Sequence, residues 1–315
     1  MNAAVEAGTS HSTGWLEAVL RRGHFAVTAE TSPPDGADPA PVLERAGGLK
    51  GVADAVNVTD GAGARAHMSA LACAAILARE GIEPVLQFTA RDRNRLALQG
   101  DLVGAGALGI HNILCLYGDD PKNGDQPDAT PVFDLDTTGI PSTARGLREG
   151  AFPSGREVSP PPALFIGAAD SPRPIDDDWK PYGVLAKIEA GADFFQTQYC
   201  FDMDVLRRYM APLVDAGVTE RAFFLIGIGP IASAQSARWM NENLFGVHIP
   251  EPLIERLEGA ENQRAEGRKI CAELLRELQE IEGVAGAHLM APRREQSIAQ
   301  VIEESGVLAA RSAPA

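Results

Sequence analysis

Cysteine is scarce in this sequence. The four cysteines lie far apart, at Cys73, Cys115, Cys200 and Cys271, with no Cys-x-x-Cys pair and no histidine at metal-ligand spacing. This pattern favours neither a disulfide framework nor a structural zinc site. We therefore interpret the cysteines as reduced, buried and apolar, and we expect no bound metal.

Positive charge and long apolar runs are lacking as well. The chain has 28 Lys and Arg against 43 Asp and Glu, a formal net charge of −15 at pH 7. Such a balance disfavours general binding to nucleic acid or to an anionic membrane. No apolar run approaches the roughly 20 residues of a membrane-spanning helix, and residues 1–13 contain no apolar signal core. We expect a cytoplasmic protein that binds neither nucleic acid nor membrane.

What the sequence does contain is a regular alternation of short apolar runs with helical stretches. Gly, Pro and polar residues bound the runs, which is typical of buried strands. We interpret as strands the segments 25–30, 55–59, 84–89, 163–169, 193–198, 222–227, 286–290 and the run that begins at Asn112. Helical sequence follows each of them, including a long charged stretch at 252–282.

Eight strand–helix units predict an α/β fold, a single-domain (β/α)8 TIM barrel. The runner-up is a doubly wound open sheet, but the glycine turn at 60–64 does not match the Gly-x-Gly-x-x-Gly dinucleotide fingerprint. We expect the barrel to span 21–310, after an N-terminal extension over 1–20 whose helix at 15–22 packs under it. A Gly-, Pro- and Asp-rich excursion at 122–162 follows strand 4.

Polar residues cluster where the predicted strands end. They are Glu30, Thr59, Asp60, Gln87, Thr89, Asp119, Asp120, Gln198, Arg293 and Arg294. Because the carboxyl ends of barrel strands meet at one mouth, we expect these side chains to converge. Without a Ser–His pair or a Cys/His cluster, an acid with several amides favours proton transfer beside an organic cofactor over covalent catalysis. We expect the histidines, His288 among them, to have packing or surface roles.

Five motifs, in order from about Phe25 to Val307, resemble those of one family. They are Glu30-Thr-Ser-Pro-Pro34, Asn57-Val-Thr-Asp-Gly-Ala-Gly63, the helix and strand over 105–119, the segment 187–198 that ends in Gln-Thr-Gln, and Gly283-Val-Ala-Gly-Ala-His288. Together they are similar to the methylenetetrahydrofolate reductase family. The resemblance implies a flavin-dependent barrel that interconverts 5,10-methylenetetrahydrofolate and 5-methyltetrahydrofolate, with a nicotinamide dinucleotide, NADH or NADPH, as electron partner.

The resemblance also implies roles for individual residues. Glu30 is expected to be the proton donor that opens the methylene bridge, and Asp119 to lie between flavin and folate. Gln198 is expected to hold the pterin, and Arg293 the glutamate tail of the folate. Flavin contacts are expected at Thr59, Asp60, Gln87, Tyr117, Gly118, Asp119, Phe133 and Lys187, where Lys187 would meet the phosphates.

Three positions depart from the family pattern. Gln87 stands where the family has His, Tyr117 where it has Arg, and Asp60 where it commonly has Tyr. FAD is therefore the first expectation, FMN the second and a flavin-free enzyme the third. A folate- or flavin-binding subunit without turnover, or a flavin-free barrel lyase, stays open as an alternative. The direction of the reaction and the choice between NADH and NADPH stay open too, as does a homo-oligomer formed through the charged stretch at 252–282.

Overall fold

A computed structural model describes residues 10–309. Within them, eight parallel strands close into a barrel in chain order, because β1 pairs with both β2 and β8. The strands are β1 Ala26–Thr31, β2 Ala55–Val58, β3 Pro84–Thr89, β4 Asn112–Leu116, β5 Phe165–Asp170, β6 Phe194–Tyr199, β7 Phe223–Ile228 and β8 Val284–Leu289. The predicted (β/α)8 barrel is confirmed.

Helices surround the barrel. They are α1 Trp15–Arg21, α2 Ala40–Gly47, α3 Ala70–Arg79, α4 Arg95–Ala107, α5 Gly139–Arg148, α6 Tyr182–Glu189, α7 Met203–Asp215, α8 Ala234–Asn243, α9 Glu251–Glu258, α10 Gln263–Leu278 and α11 Glu295–Ser305. The main apolar core lies between these helices and the outer faces of the strands. No helix within residues 10–309 has the length and apolar character needed to cross a membrane.

Two helical predictions differ from the structure. The Ala-rich stretch over 65–80, whose composition predicts one helix, becomes helical only at Ala70. The Nε2 atom of His67 accepts from the Gly61 amide at 2.8 Å and holds the residues before Ala70 in a loop. The stretch at 252–282 is not one helix but two, α9 and α10. Gly259 ends the first, and the side chain of Asn262 accepts from the Ala265 amide to begin the second.

Two connections are long. Residues 117–164, between β4 and β5, form the predicted excursion and contain α5. The connection from β7 to β8, residues 229–283, is longer still and carries α8, α9 and α10. The guanidinium of Arg256 ties α9 to α10 through Glu266 and Glu273.

The N-terminal end of the barrel is closed by α1, as predicted. Its Leu16, Val19 and Leu20 are buried against apolar side chains inside the barrel. The Glu83 carboxylate accepts from the amides of Trp15 and Leu16, and so satisfies donors that a helix N-terminus leaves unpaired. Helix α1 crosses the predicted domain boundary at residues 20 and 21, and residues 1–9 of the predicted extension lie outside the described residues.

Candidate active site

The interior of the barrel becomes more polar toward the carboxyl ends of its strands. Every second residue of a strand points inward, so β1 presents Ala26, Thr28 and Glu30 in turn. Strand β6 presents Phe194 and Gln196 in the same way. Both strands therefore begin in an apolar layer and end in a polar one.

A cavity of about 530 Å³ opens at this polar end, and we call it the mouth cavity. Four of the site residues predicted from the sequence line this cavity: Glu30, Gln87, Lys187 and Gln198. Its other polar lining residues are Asp170, Ser171, Arg173, Gln196, Thr197 and His288. The volume lies within the range typical of small-molecule sites.

Glu30 is an acid that lines the mouth cavity, with a side chain 16% exposed. Its Oε2 atom accepts from the Gln87 amide at 2.8 Å and lies 3.6 Å from the Nε2 atom of His288. Gln87 and His288 are both buried, so these two side chains hold the carboxyl group from within the barrel. The carboxyl group remains open to the cavity.

His288 joins Glu30 to a buried polar network. Its Nδ1 atom lies 3.0 Å from the Thr28 hydroxyl, which also accepts from the Gln196 amide at 2.9 Å. Gln196 in turn exchanges two hydrogen bonds with Asn57, of 2.6 and 3.0 Å. Burying a polar group destabilises the folded state unless the group has a hydrogen-bond partner. These hydrogen bonds explain how polar residues can lie across the barrel interior.

The role of His288 was missed from the sequence. If the Thr28 hydroxyl donates to Nδ1, the proton of a neutral imidazole is on Nε2 and faces Glu30. Only the register of the barrel strands reveals that His288 lies beside Thr28 and Glu30. Strands β1 and β8 pair Thr28 with His288, although the two residues are far apart in sequence. Gln196 and Asn57 were missed as site residues for the same reason.

Lys187 reaches the mouth cavity from α6. Its ammonium group donates to the Ala169 carbonyl at 2.7 Å, and burial lowers its pKa although the nearby Asp170 carboxylate opposes this. Burial raises the pKa of Asp170, whose Oδ2 atom accepts from the Tyr209 hydroxyl at 2.7 Å. Lys187 is thus a partly desolvated cation that has no direct carboxylate contact among residues 10–309, and it is able to meet an anionic group.

Gln198 stands where the β6–β7 register shifts, between Gln196 and Tyr199. Its Oε1 atom accepts from the Tyr199 amide at 3.0 Å, which leaves the NH2 group available at the cavity wall. An exposed aromatic ring completes this part of the wall, because Phe245 lines the mouth cavity while 94% exposed. No sequence pattern singled out Phe245.

Thr59 and Asp60 follow β2 and are both buried. Among the described residues, the Thr59 hydroxyl is one of few buried side-chain atoms without a hydrogen-bond partner. Asp60 is fully engaged, since its Oδ2 atom accepts from Arg93 at 2.7 Å and from the amide and hydroxyl of Thr89. Burial acts to raise the pKa of Asp60, but the Arg93 guanidinium and Thr89 outweigh it and the pKa is lowered. Asp60 therefore acts here as a structural acid.

The residues that follow β4 do not line the mouth cavity. The exposed Asp119 carboxylate accepts from the Gly63 amide at 2.7 Å and does not line the mouth cavity. The Tyr117 ring stacks on Phe133 with centroids 4.3 Å apart. Gly118 has φ +99, and a Cβ atom there would lie 2.9 Å from the Arg91 side chain, so this position requires glycine.

Arg293 faces a second cavity, on the other side of the residues that follow β8. Its side chain is 74% exposed and lies 3.8 Å from the Asp35 carboxylate. The structure thus brings together Glu30, Gln87, Lys187 and Gln198. It leaves Asp119, Tyr117, Phe133 and Arg293 outside the mouth cavity as it stands.

Comparison with known proteins identifies the family. A family model for methylenetetrahydrofolate reductase matches residues 15–306. The chain belongs to the methylenetetrahydrofolate reductase family. The match covers all eight strands, so it includes every residue of the mouth cavity.

Curated relatives carry the same description. The chain is 26% identical over 235 residues to a probable methylenetetrahydrofolate reductase (NADPH) of Caenorhabditis elegans, an alignment that covers 72% of this chain and 33% of that protein. It is 26% identical over 268 residues to methylenetetrahydrofolate reductase 2 of Schizosaccharomyces pombe, with 79% and 40% covered. The aligned part thus spans at most two-fifths of either relative's length.

Solved structures share the fold at low sequence identity. A Clostridium thermocellum protein described as binding two copies of 5-methyl-5,6,7,8-tetrahydrofolic acid matches with a TM-score of 0.64 at 13% identity, covering 93% of this chain and 99% of that one. The EDTA monooxygenase EmoA of Chelativorans sp. BNC1 matches with a TM-score of 0.56 at 10% identity, covering 92% and 94%. These two likenesses concern the fold alone.

Proposed function

We propose that this chain is a cytoplasmic flavin-dependent oxidoreductase that interconverts 5,10-methylenetetrahydrofolate and 5-methyltetrahydrofolate, with NADH or NADPH as electron partner. One observation carries the proposal. A carboxyl group, two amides and a cation, from Glu30, Gln87, Gln198 and Lys187, line one cavity at the barrel mouth of a chain in this family. The Clostridium thermocellum protein supports the ligand class, since a barrel of this fold is described as binding 5-methyltetrahydrofolate.

The residues present fit a flavin. The unpartnered Thr59 hydroxyl is a buried group that needs a hydrogen-bonding partner, and the partly desolvated Lys187 suits a phosphate. The exposed Tyr117 ring, stacked on the half-buried Phe133, offers an aromatic surface. FAD is the first choice and FMN the second. A bound flavin would supply hydride transfer to and from the carbon of the one-carbon unit.

Proton transfer is the task of the chain's own residues. Glu30 would donate its proton to a nitrogen of the methylene bridge, so that the carbon–nitrogen bond breaks and the carbon becomes an iminium able to accept hydride. Gln87 and His288 hold the carboxyl group of Glu30 at 2.8 and 3.6 Å, which limits its orientations. The free NH2 group of Gln198 would orient the pterin by donating to its ring acceptors.

Asp119 has a conditional place in this scheme. Its carboxylate would stabilise positive charge on the folate once it leaves the Gly63 amide and turns toward the mouth cavity. Asp60 would contribute through structure only, by fixing the β2 and β3 ends with Thr89 and Arg93.

The spectrum of the purified protein is the first test. We expect visible flavin absorption, or its appearance on adding FAD or FMN, and release of that cofactor on denaturation. We further expect oxidation of 5-methyltetrahydrofolate with an artificial electron acceptor. The proposal would be ruled out if the protein bound no flavin and did not oxidise 5-methyltetrahydrofolate.

A binding subunit without turnover is the second candidate. It is favoured by the position of the Asp119 carboxylate, which contacts Gly63 instead of the mouth cavity. Both candidates bind folate, so equilibrium binding does not separate them. Turnover in a single-enzyme assay with the flavin-loaded chain does, because the binding subunit would yield no 5,10-methylenetetrahydrofolate.

A further inference from the structure

Gln196 is a buried amide that proton transfer at the mouth cavity does not use directly. It lies on β6 and is 3% exposed, and its partner Asn57 on β2 is fully buried. Replacing two bonded polar side chains by apolar ones of similar shape costs little stability. Stability alone therefore does not account for an amide pair inside the barrel.

Asn57 fixes the direction in which Gln196 donates. The Nδ2 atom of Asn57 donates to the Oε1 atom of Gln196 at 2.6 Å, and the Nε2 atom of Gln196 donates back to Asn57 at 3.0 Å. The other proton of the Gln196 NH2 group is donated to the Thr28 hydroxyl oxygen at 2.9 Å. The Thr28 hydroxyl thus accepts from Gln196, and its own proton is free for another partner.

That partner is the imidazole of His288. The Thr28 hydroxyl lies 3.0 Å from Nδ1 of the ring, closer than the 3.3 Å that separates it from the Ala287 carbonyl. The Nε2 atom of Gln196 lies 3.4 Å from the same ring nitrogen, so a proton on Nδ1 would face an N–H group. Nδ1 is therefore an acceptor, and the neutral ring carries its proton on Nε2.

The direction set at Gln196 extends to the carboxyl group of Glu30. The Nε2 atom of His288 lies 3.6 Å from Oε2 of Glu30, and the Gln87 amide donates to the same oxygen at 2.8 Å. Within residues 10–309, Oε1 of Glu30 forms no hydrogen bond and no ion pair. An N–H group occupies a lone pair of the oxygen that it faces and disfavours a proton there. Oε1 is thus the oxygen that can hold the acidic proton.

We propose that Gln196, held by Asn57, is a positioning residue that sets the tautomer of His288 and thereby the oxygen of Glu30 that carries the proton. The tautomer is a property of the folded chain alone. Transfer of the Oε1 proton to a folate nitrogen rests on the proposed function. Gln196 acts through two intervening side chains, those of Thr28 and His288.

NMR spectroscopy of the full chain with isotope-labelled histidine nitrogens tests the tautomer directly. At about pH 8.5 an imidazole of ordinary pKa is neutral, and the spectrum shows which ring nitrogen carries hydrogen. His288→Gln assigns the His288 signals by their loss. His67 is an internal reference for the opposite form, since its Nε2 atom accepts from the Gly61 amide at 2.8 Å and its Nδ1 atom lies 2.6 Å from the Met68 carbonyl. We expect the proton on Nε2 in His288 and on Nδ1 in His67.

Gln196→Glu reverses the donor at the centre of the network. The oxygen that replaces the NH2 group accepts from the Thr28 hydroxyl, which can then accept from Nδ1 of His288. We expect the proton to move to Nδ1, because the contacts of 2.9 and 3.0 Å on this side outweigh the 3.6 Å separation from Glu30. Gln196→Met serves if the buried carboxyl group prevents folding, since Thr28 can then donate to the Ala287 carbonyl and accept from Nδ1.

The control, Thr28→Val, breaks the same network without reversing it. The hydroxyl is lost, but the NH2 group of Gln196 still faces Nδ1 of His288 from 3.4 Å. The proton should therefore stay on Nε2. The proposal is overturned if the wild type carries the His288 proton on Nδ1, or if the Gln196 variants leave it on Nε2, since Glu30 alone would then set the tautomer. It is overturned equally if Thr28→Val moves the proton as far as Gln196→Glu does.

Turnover then tests the link to the reaction. Gln196→Glu should lower kcat for folate turnover about tenfold or more, with little change in KM, and Thr28→Val should lower kcat less. A chain with the expected tautomers but no folate turnover keeps the role of Gln196 and refutes the reductase. A chain that turns over folate while its Gln196 variants keep the His288 proton on Nε2 keeps the reductase and refutes the role of Gln196.

Discussion

The two ends of the barrel interior are built from the same strands but have opposite characters. At the N-terminal end, α1 and the rings of Phe165, Phe194 and Phe223 form an apolar layer. The Phe165 and Phe194 rings stack with centroids 4.8 Å apart. Gly167 makes room for this packing, since a Cβ atom there would lie 2.4 Å from the Phe194 ring.

The other end has polar side chains at equivalent positions two or four residues further along. Thr28, Asn57, Gln87, Gln196 and His288 are all buried there, and each has a hydrogen-bond partner or a close polar neighbour. The two ends therefore differ in function. At the N-terminal end, apolar burial stabilises the closed barrel. At the other end, a network of hydrogen-bonded polar side chains positions the carboxyl group of Glu30. We therefore expect substitutions at the apolar end to change stability and substitutions at the polar end to change turnover.

The largest effect is expected from Glu30→Gln, at the polar end. The amide keeps the size of the side chain and can still accept from Gln87, but it has no acidic proton to transfer to the folate nitrogen. Loss of a general acid should lower folate turnover by roughly 100- to 10,000-fold, with an unchanged thermal midpoint. Stopped-flow measurement of folate reduction checks this.

The control for that variant is Asp120→Asn, which changes an exposed carboxylate that caps the turn at Lys122. Its turnover should equal that of the wild type. Near-normal folate turnover by Glu30→Gln would show that another group donates the proton.

At the apolar end, Phe194→Ala should destabilise the fold. The side chain is fully buried among Phe165 and Phe223, so its truncation leaves a cavity that the rigid barrel cannot close. We expect a loss of about 3–5 kcal/mol in the free energy of unfolding, measured by urea denaturation. Phe245→Ala, at a 94% exposed ring, should leave the same quantity unchanged. Equal losses in the two variants would contradict the assignment of the apolar layer to stability.

Asp60→Asn tests the role of Asp60. The sequence predicts a flavin contact for this residue, whereas the structure shows an ion pair with Arg93. Removing the charge leaves the half-buried Arg93 with Asp101 as its one carboxylate partner among residues 10–309, so we expect a loss of about 2 kcal/mol in unfolding free energy at pH 7. The pKa of Asp60 is lowered in the folded state. Its contribution is therefore present above the ordinary pKa of an aspartate and is lost as the pH falls through the lowered value.

The difference between wild type and Asp60→Asn should accordingly shrink below about pH 4, in urea titrations at several pH values. Asp177→Asn is the control, since Asp177 is exposed and has no ion pair among residues 10–309. A difference that is constant with pH would mean that packing, not charge, makes Asp60 important.

The smallest effect is expected from His288, which acts through Glu30. His288→Leu removes the donor near the Glu30 carboxyl group and should lower kcat about tenfold, equivalent to about 1.4 kcal/mol, with little change in KM for folate. His288→Gln restores an amide donor and should regain most of the activity. If the loss of activity in each variant follows the decrease in its thermal midpoint, His288 has a packing role alone.

Much of this fold could be predicted because its signals are local. Each strand is a short apolar run bounded by Gly, Pro or polar residues, and eight of them with helices between indicate a barrel. Glu30, Gln87, Lys187 and Gln198 could be named in advance, since strand ends and motif order identify them. The boundary between α9 and α10 could not, because a helical pattern continues through Gly259 and the cap at Asn262 is a detail of backbone geometry.

The amino-acid sequence by itself determined the barrel, its closed apolar end and the acid at its mouth. The reason is that hydrophobic periodicity, the Gly and Pro residues that bound each strand, and the type of residue at a strand end are all local features of the sequence. Only the tertiary structure decided which polar groups are partners. Strand register brought Thr28 to His288 and Gln196 to Asn57, and loop geometry joined Asp60 to Arg93 and Asp119 to Gly63. Hydrogen bonds and ion pairs depend on distances of about 3 Å between atoms remote in sequence, and no local pattern encodes such distances.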